Sequence, residues 1–223
     1  YHNSESVEIA CFLSRFPTRN GEEKEKRQMD LKRKIMEAAW ELFQEKGYTA
    51  TTVNEIIEKA ETSKGGFYYY FHAKDELLNS LYHFFDREYK KYYKSMDKSL
   101  NHIMQIKLLN QYVFYFMEGN VKVDLLASLY RSQLAEKKQT NFLDPERYYL
   151  KLIKKLISDG QKKGEIRTDL TVDELVKHIL LVERGIIMDW CVENGGYSLG
   201  YFGAHSFNLY MEFLEPSEKA AEE

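Results

Sequence analysis

The stretch Ser63-Lys64-Gly65-Gly66-Phe67-Tyr68-Tyr69-Tyr70-Phe71 gathers groups that grip rather than cut. Lysine brings three N–H donors, the phenols bring hydroxyls on rigid rings, and two adjacent glycines strip bulk from the backbone. Hydroxyls of this kind donate to phosphate oxygens, their rings lie against sugar or thymine methyl groups, and lysine can donate to guanine N7 and O6. As an isolated helix the stretch is badly made, because each interior glycine costs about 1 kcal/mol against alanine. Phe67 and Phe71 stand four apart and share one face. The tyrosines cannot join them, so Tyr68 and Tyr69 point outward and Tyr70 leans to the flank.

Catalytic chemistry finds less support. The histidines (His2, His72, His83, His102, His178 and His205) form no HxxxH-with-glutamate arrangement and accompany no Gly-x-Ser-x-Gly elbow. Asp173, Glu174 and Glu183 read as capping or solvated carboxylates rather than an acid–base pair. Cys11 and Cys191 lie far apart and suggest neither a metal site nor a disulfide framework. No cofactor, metal or enzyme activity is expected.

Helices must position the stretch. The 223 residues are 43 % hydrophobic and contain only 3 prolines, and the apolar positions recur at helical spacing. Leu31, Ile35, Ala38, Ala39, Leu42 and Phe43 mark one face of a first helix, which Gly47 ends. Thr52-Val53-Asn54-Glu55 is a capping box opening a short second helix with Ile56, Ile57 and Ala60 inside. Ser63 caps a third helix over 64–71. A long helix is predicted from Lys74 to about Ser99, then others near 103–118, 121–136, 145–163, 171–193 and 203–214. Asp144-Pro145 reads as a cap with a first-turn proline, and Thr171–Glu174 as a second capping box. The fold class is all-α.

A supporting helix followed by two short helices joined by a tight turn makes a helix-turn-helix, whose last helix enters the DNA major groove. At "KIMEAAWELFQEKGYTATTVNEI" and "SKGGFYYYFHAKDELL", over about 31–78, the chain resembles the tetracycline-repressor (TetR) family of bacterial transcription regulators. The resemblance implies DNA contacts by Thr52, Thr62, Ser63, Lys64, Gly65, Gly66, Tyr68, Tyr69 and Tyr70, with Lys74 clamping the backbone. One departure stands out: the family often has glycine and an apolar residue where this chain has Glu61 and Thr62. The segment 24–34 is rich in lysine and arginine and fits either a phosphate-tracking arm or a solvated helix start.

The resemblance further implies that 74–223 is a larger helical domain that binds a small effector and forms a homodimer. Tyr112, Tyr115, Phe116, Met117, Glu118, Met188 and Trp190 are the effector candidates, as aromatics with a carboxylate or equally as ordinary core. Leu175, Ile179, Val182 and Ile186 form a stripe suited to a dimer interface or to the protomer's own core. The expected organisation is a flexible extension over 1–28, a DNA-binding domain over 29–73 and the effector domain over 74–223. The expected partners are double-stranded palindromic operator DNA, a small-molecule effector and a second copy. No apolar run reaches membrane-spanning length, and the cytoplasm is the expected compartment. The competing reading is a helical small-molecule or protein-binding module without operator function.

Overall fold

The computed structural model describes residues 22–135 and 144–216. Among them the chain forms helices and no strand, and it divides into two compact units after Ser80. The expected extension up to residue 21 lies outside the described residues. Residues 22–28, assigned by sequence to that extension, are already helical.

The first unit holds α1 (Glu22–Lys46), α2 (Val53–Lys59), α3 (Lys64–Tyr70) and a 3-10 turn (Lys74–Asn79). Ile35, Ala39 and Phe43 of α1 are buried with Ile56, Phe67 and Phe71, so the predicted inward faces meet in one small core. The predicted helix from Lys74 to Ser99 is broken. Its first turn is 3-10, buries Leu77 and Leu78 and stays with the first unit, and the α-helix begins at Ser80. The unit boundary therefore falls later than the expected division at 73/74.

The second unit contains α4 (Ser80–Ser95), α5 (His102–Asn120), α6 (Val123–Ala135), α7 (Tyr148–Lys162), α8 (Val172–Val192) and α9 (Ala204–Tyr210). A π-turn (Leu199–Gly203) precedes α9 and a 3-10 turn (Met211–Leu214) follows it. Helix α5 is central: Ile106, Leu109, Val113 and Phe114 are fully enclosed, and α5 packs on α7, α9 and the π-turn. The Thr171 capping box forms as read.

The start of α7 differs from the reading. Asp144 accepts from the Glu146 amide at 2.9 Å and makes a turn, not a cap. The first free amides of α7, from Tyr148 and Tyr149, instead go to Asp86 of α4 at 3.1 and 3.4 Å. A cap supplied from another helix leaves no local mark in the sequence.

Candidate nucleic-acid interface and interior cavity

Helix α3 separates its side chains by direction. Phe67 and Phe71 are buried, while Tyr68 and Tyr69 are 42 % and 67 % exposed. Tyr70 is half-buried and meets the Tyr69 ring edge-on at 4.8 Å. Ser63 caps the helix by accepting from the Gly66 amide at 3.0 Å. Lys64, Gly65 and Ser63 are exposed and Thr62 is half-buried, so these residues line one outer surface with the phenols.

The two glycines have different tasks. A β-carbon at Gly66 would sit 2.5 Å from the Thr62 hydroxyl oxygen and 3.6 Å from Leu31, so the turn's own packing favours glycine there. At Gly65 it would meet only the Ser63 hydroxyl, at 3.8 Å. Among the described residues, nothing in the fold requires Gly65 to lack a β-carbon. Glu61 takes a left-handed conformation (φ 50°), filling the place where glycine is usual.

Many cations of this unit are already engaged. The Lys46 ammonium and the Thr52 backbone and hydroxyl groups hold the Glu55 carboxyl down at about 2. Thr52 is exposed, but its hydroxyl donates to Glu55, so a phosphate would have to compete for it. Lys59 is shared by Glu41 and Glu45 at 3.0 Å each. Arg33 pairs with Asp30 at 2.6 Å. Lys74, expected to clamp a DNA backbone, grips the protein's own. Its Nζ donates to the Tyr48 and Thr51 carbonyls at 2.8 and 2.7 Å and lies 4.1 Å from the Tyr48 ring centre. The Tyr48 hydroxyl in turn donates to Asp75. What the structure displays of Lys74 is a brace that fixes the loop leading into α2.

In the second unit a cavity of about 40 Å³ lies among α4, α5, α6, α7 and α8. Its wall combines aromatic rings (Tyr82, Phe85, Tyr89, Tyr130, Tyr149) with Arg147, Glu183 and Arg184. Glu183 is enclosed. Burial, the largest influence, pushes its carboxyl above the ordinary value of 4.5, against the opposing pull of Tyr149 and Tyr89. The Tyr149 hydroxyl oxygen lies 2.5 Å from Glu183 Oε2 and 3.2 Å from Asn110 Oδ1, and the Tyr89 hydroxyl lies 3.1 Å from Glu183 Oε1. One phenol has one proton for two acceptors. The count closes when Glu183 keeps its own proton and donates to Tyr149, which then donates to Asn110. Arg147 is held by Asp86 through two bonds of 2.8 and 3.3 Å and lies over Tyr82.

Of the effector candidates, only Met117 lines this cavity. Tyr112 stacks on Tyr92 at 4.2 Å and donates to Glu88 at 3.0 Å, while Phe116 packs on Phe84. Tyr115 lies half-exposed against Gly200. Glu118 accepts from Ser198 and the Gly200 amide at 2.9 and 2.7 Å, fixing the π-turn. Trp190 is buried with its N–H on the Tyr197 carbonyl, and Met188 faces outward. These six are therefore placed by packing and turn geometry, not by the cavity. The signal that marks Tyr89, Tyr149 and Glu183 is tertiary, since they lie up to 94 residues apart.

Two of the four interface candidates also need correction. Leu175 and Ile179 are wholly enclosed within the protomer, and Val182 and Ile186 are half-buried beside them. A side chain already covered cannot serve a second copy. The outward stripe of α8 is Leu181, Gly185, Met188 and Val192, with Leu181 56 % and Val192 79 % exposed. Tyr201, Phe202, Leu209 and Tyr210 of the π-turn and α9 are exposed as well. Periodicity identifies an apolar stripe without saying which neighbour covers it, and the inward stripe is the more regular.

A three-helix unit that turns phenols, a lysine and a bare glycine outward from a short capped helix, behind a braced loop, is a helix-turn-helix DNA-binding unit. The chain is a DNA-binding transcriptional regulator. Residues 35–86 match the family described as bacterial regulatory proteins, tetR family. The HTH-type transcriptional repressor DhaR of Mycobacterium sp. (strain GP1) is 26 % identical over 192 residues, covering 82 % of this chain and 91 % of that protein. The HTH-type transcriptional regulator QacR of Staphylococcus aureus is 27 % identical over 142 residues, covering 61 % and 74 %. Thermus thermophilus FadR, a TetR-family transcriptional repressor solved with lauroyl-CoA, has a similar fold, with a TM-score of 0.64 at 20 % identity over 81 % of this chain and 91 % of that one. Residues 35–86 thus carry the DNA-binding segment of that family, and the chain as a whole resembles its transcriptional regulators. No helix among the described residues is long and apolar enough to cross a membrane.

Proposed function

We propose that the chain is a ligand-responsive repressor, working as a homodimer on a palindromic operator in the cytoplasm and released by a small-molecule effector. The observation that carries this reading is the division of α3, with Phe67 and Phe71 inside and Tyr68, Tyr69, Lys64 and bare Gly65 outside. One such helix reads a half-site, and two copies spaced by one DNA turn read a palindrome. The exposed stripe on α8, continued by the exposed aromatics of the π-turn and α9, supplies an apolar surface for the second copy. Gly185, with open space where a β-carbon would stand, lets a facing helix come close.

The effector's place is the cavity around Glu183. At about 40 Å³ it is far smaller than the several hundred Å³ of a drug-sized ligand site, so binding must open it. Tyr82, Phe85 and Tyr89 of α4 line it, and α4 follows directly on the last turn of the DNA-binding unit. A ligand that pushes α4 outward alters the placement of each reading unit and so its fit to DNA. No catalytic step is assigned to the chain.

The test is selection of bound genomic fragments, followed by anisotropy titration on the recovered site. Lys64→Ala and Tyr68→Ala each weaken operator binding by about tenfold or more with helical content unchanged. Wild-type affinity in both variants would defeat the reading. A protein that retrieves no preferred site yet binds small molecules would be the module without operator function.

A further inference from the structure

Away from the cavity, the second unit carries a groove of about 450 Å³ between the end of α4, the first turn of α5 and the last turns of α7. Lys98, Lys155, Lys162 and Lys163 line it, and Asp159 is the one carboxylate in its wall. Four cations against one anion leave a formal excess of +3 (4 − 1). Asp159 is divided between Lys155, with which it makes a close pair, and Lys162 at 3.7 Å. Lys98 turns onto the Tyr93 carbonyl and ring. Elsewhere on α7 the lysines are ordinarily matched: Lys151 has Glu146 at 2.6 Å and Lys154 has Asp173 at 2.7 Å. The groove is where that matching fails.

Two further features point to a ligand. Helix α5, 19 residues long and capped by Asn101, begins at the groove, adding the positive end of its dipole. Gln105, one turn in, is 2 % exposed and lines the groove. Its Nε2 donates to the Leu100 carbonyl at 2.7 Å, which fixes the orientation of the amide. Its Oε1 is buried and accepts from nothing among the described residues. A buried acceptor without a donor is unfavourable, so a partner bearing an O–H or N–H is called for. His102, on the floor, is not that donor: its Nδ1 faces Glu165 at 2.6 Å, and Glu165 also takes the His102 amide. Partial burial, with the neighbouring Lys155 as the smaller cause, disfavours charge on Lys98.

We propose that this groove binds a phosphate monoester on a small hydroxylated skeleton. The lysines take the phosphate, and Gln105 Oε1 accepts from a skeleton hydroxyl. A bare solvated lysine face would explain the charge but not the orphaned amide oxygen. The site is separate from the cavity around Glu183 and does not depend on the effector reading given above.

Calorimetric titration of the full chain at fixed ionic strength tests it, with ribose 5-phosphate and AMP as probes and inorganic phosphate and ribose as controls. Ribose 5-phosphate, AMP or both should saturate, at least about tenfold tighter than inorganic phosphate, and ribose should not saturate. Binding of AMP alone would identify a nucleotide, and binding of ribose 5-phosphate alone a sugar phosphate; either supports the proposal. The exposed pair Lys98→Ala/Lys163→Ala should weaken binding by about tenfold with an unchanged melting curve. Gln105→Met, which keeps the volume but lacks the acceptor, should erase the preference over inorganic phosphate. Equal binding of phosphate and ribose 5-phosphate, no saturation by either probe, or full affinity in the lysine pair would overturn the proposal. So would displacement of the probe by random-sequence duplex DNA that the lysine changes abolish, since that reassigns the groove to nucleic-acid backbone.

Discussion

The DNA-binding unit and the helical bundle handle polar groups in opposite ways. In the first unit the partners that end its short helices are close in sequence and exposed, Thr52 with Glu55 three residues on and Ser63 with the Gly66 amide, as is the pair Arg33–Asp30, while longer links such as the Lys74 brace hold the loop behind them. In the bundle they are distant and covered: Asp86 with Arg147 across 61 residues, Tyr89 with Glu183 across 94. Local pairs set the ends of short helices and leave the outer face of α3 for a partner. Distant pairs hold helices of the bundle to one another and surround a cavity. The first arrangement suits a rigid reading surface. The second ties the bundle's order to a few buried groups, whose disturbance can move whole helices.

If that contrast is right, the largest single loss lies in the bundle. Asp86→Ala removes the cap of α7 and leaves Arg147 as an uncompensated, nearly buried cation. The expected cost is about 3–5 kcal/mol, read from urea unfolding. Retention of wild-type stability would mean that the buried links do not organise the bundle. Loss of the exposed pair Arg33–Asp30, by comparison, should cost less than about 1 kcal/mol.

Glu183 gives the next effect. Glu183→Ala leaves the Tyr89 hydroxyl without its acceptor and the Tyr149 hydroxyl without its donor, and should cost about 2–3 kcal/mol. Glu183→Gln should cost little, because an amide can accept from Tyr89 and donate to Tyr149. The pH dependence separates the two protonation states. The folded pKa of Glu183 is raised above 4.5, so its contribution is complete below the unfolded value and is lost as pH rises through the folded one. Stability of the Gln variant relative to wild type should therefore climb as pH rises from the unfolded value of 4.5 through the raised folded one. A flat difference would mean that Glu183 is ionised throughout.

The same contrast explains what could be read from sequence. The inward faces of α1, α2 and α3, both capping boxes and the outward tyrosines follow from spacing alone, since their causes lie within a few residues. The α7 cap was misread because Asp86 comes from another helix, and the Lys74–Ser99 helix because its first turn winds as 3-10 while it buries Leu77 and Leu78. Tyr112, Glu118 and Trp190 look like ligand groups by type, yet each is committed to a bond that only the tertiary fold supplies. Leu175 and Ile179 were recognisably apolar, but whether the cover is the same chain or a second copy is not written in the periodicity.

On the exposed side, Gly65→Ala asks whether the reading surface is shaped for DNA or for its own fold. A methyl group there meets only Ser63, so the melting temperature should hold or rise. Operator affinity should nonetheless fall by about tenfold, near 1.4 kcal/mol, if the backbone must approach the groove closely. Unchanged affinity would show that Gly65 is dispensable. Gly66→Ala makes the matched control, because it forces Thr62 to move and should lower stability and affinity together.

The smallest effect concerns one turn that the two units share. Helices α2, α7 and α8 end in the same double hydrogen bond, with a left-handed residue just beyond the cap: Glu61, Gly164 and Asn194. Glycine adopts that conformation freely and asparagine tolerates it, but glutamate is strained there by about 1 kcal/mol. Glu61→Gly should therefore stabilise the first unit by about that amount, seen as a higher urea midpoint with an unchanged slope. It also removes a carboxylate beside the reading helix, which should strengthen DNA binding slightly, and less so at high salt. Glu61→Gln keeps the strain and removes the charge, so it should share the gain in affinity without the gain in stability. If both variants gain stability equally, charge rather than backbone strain sets the cost of this turn. The departure at Glu61 would then be an electrostatic feature of the reading surface, not a conformational one.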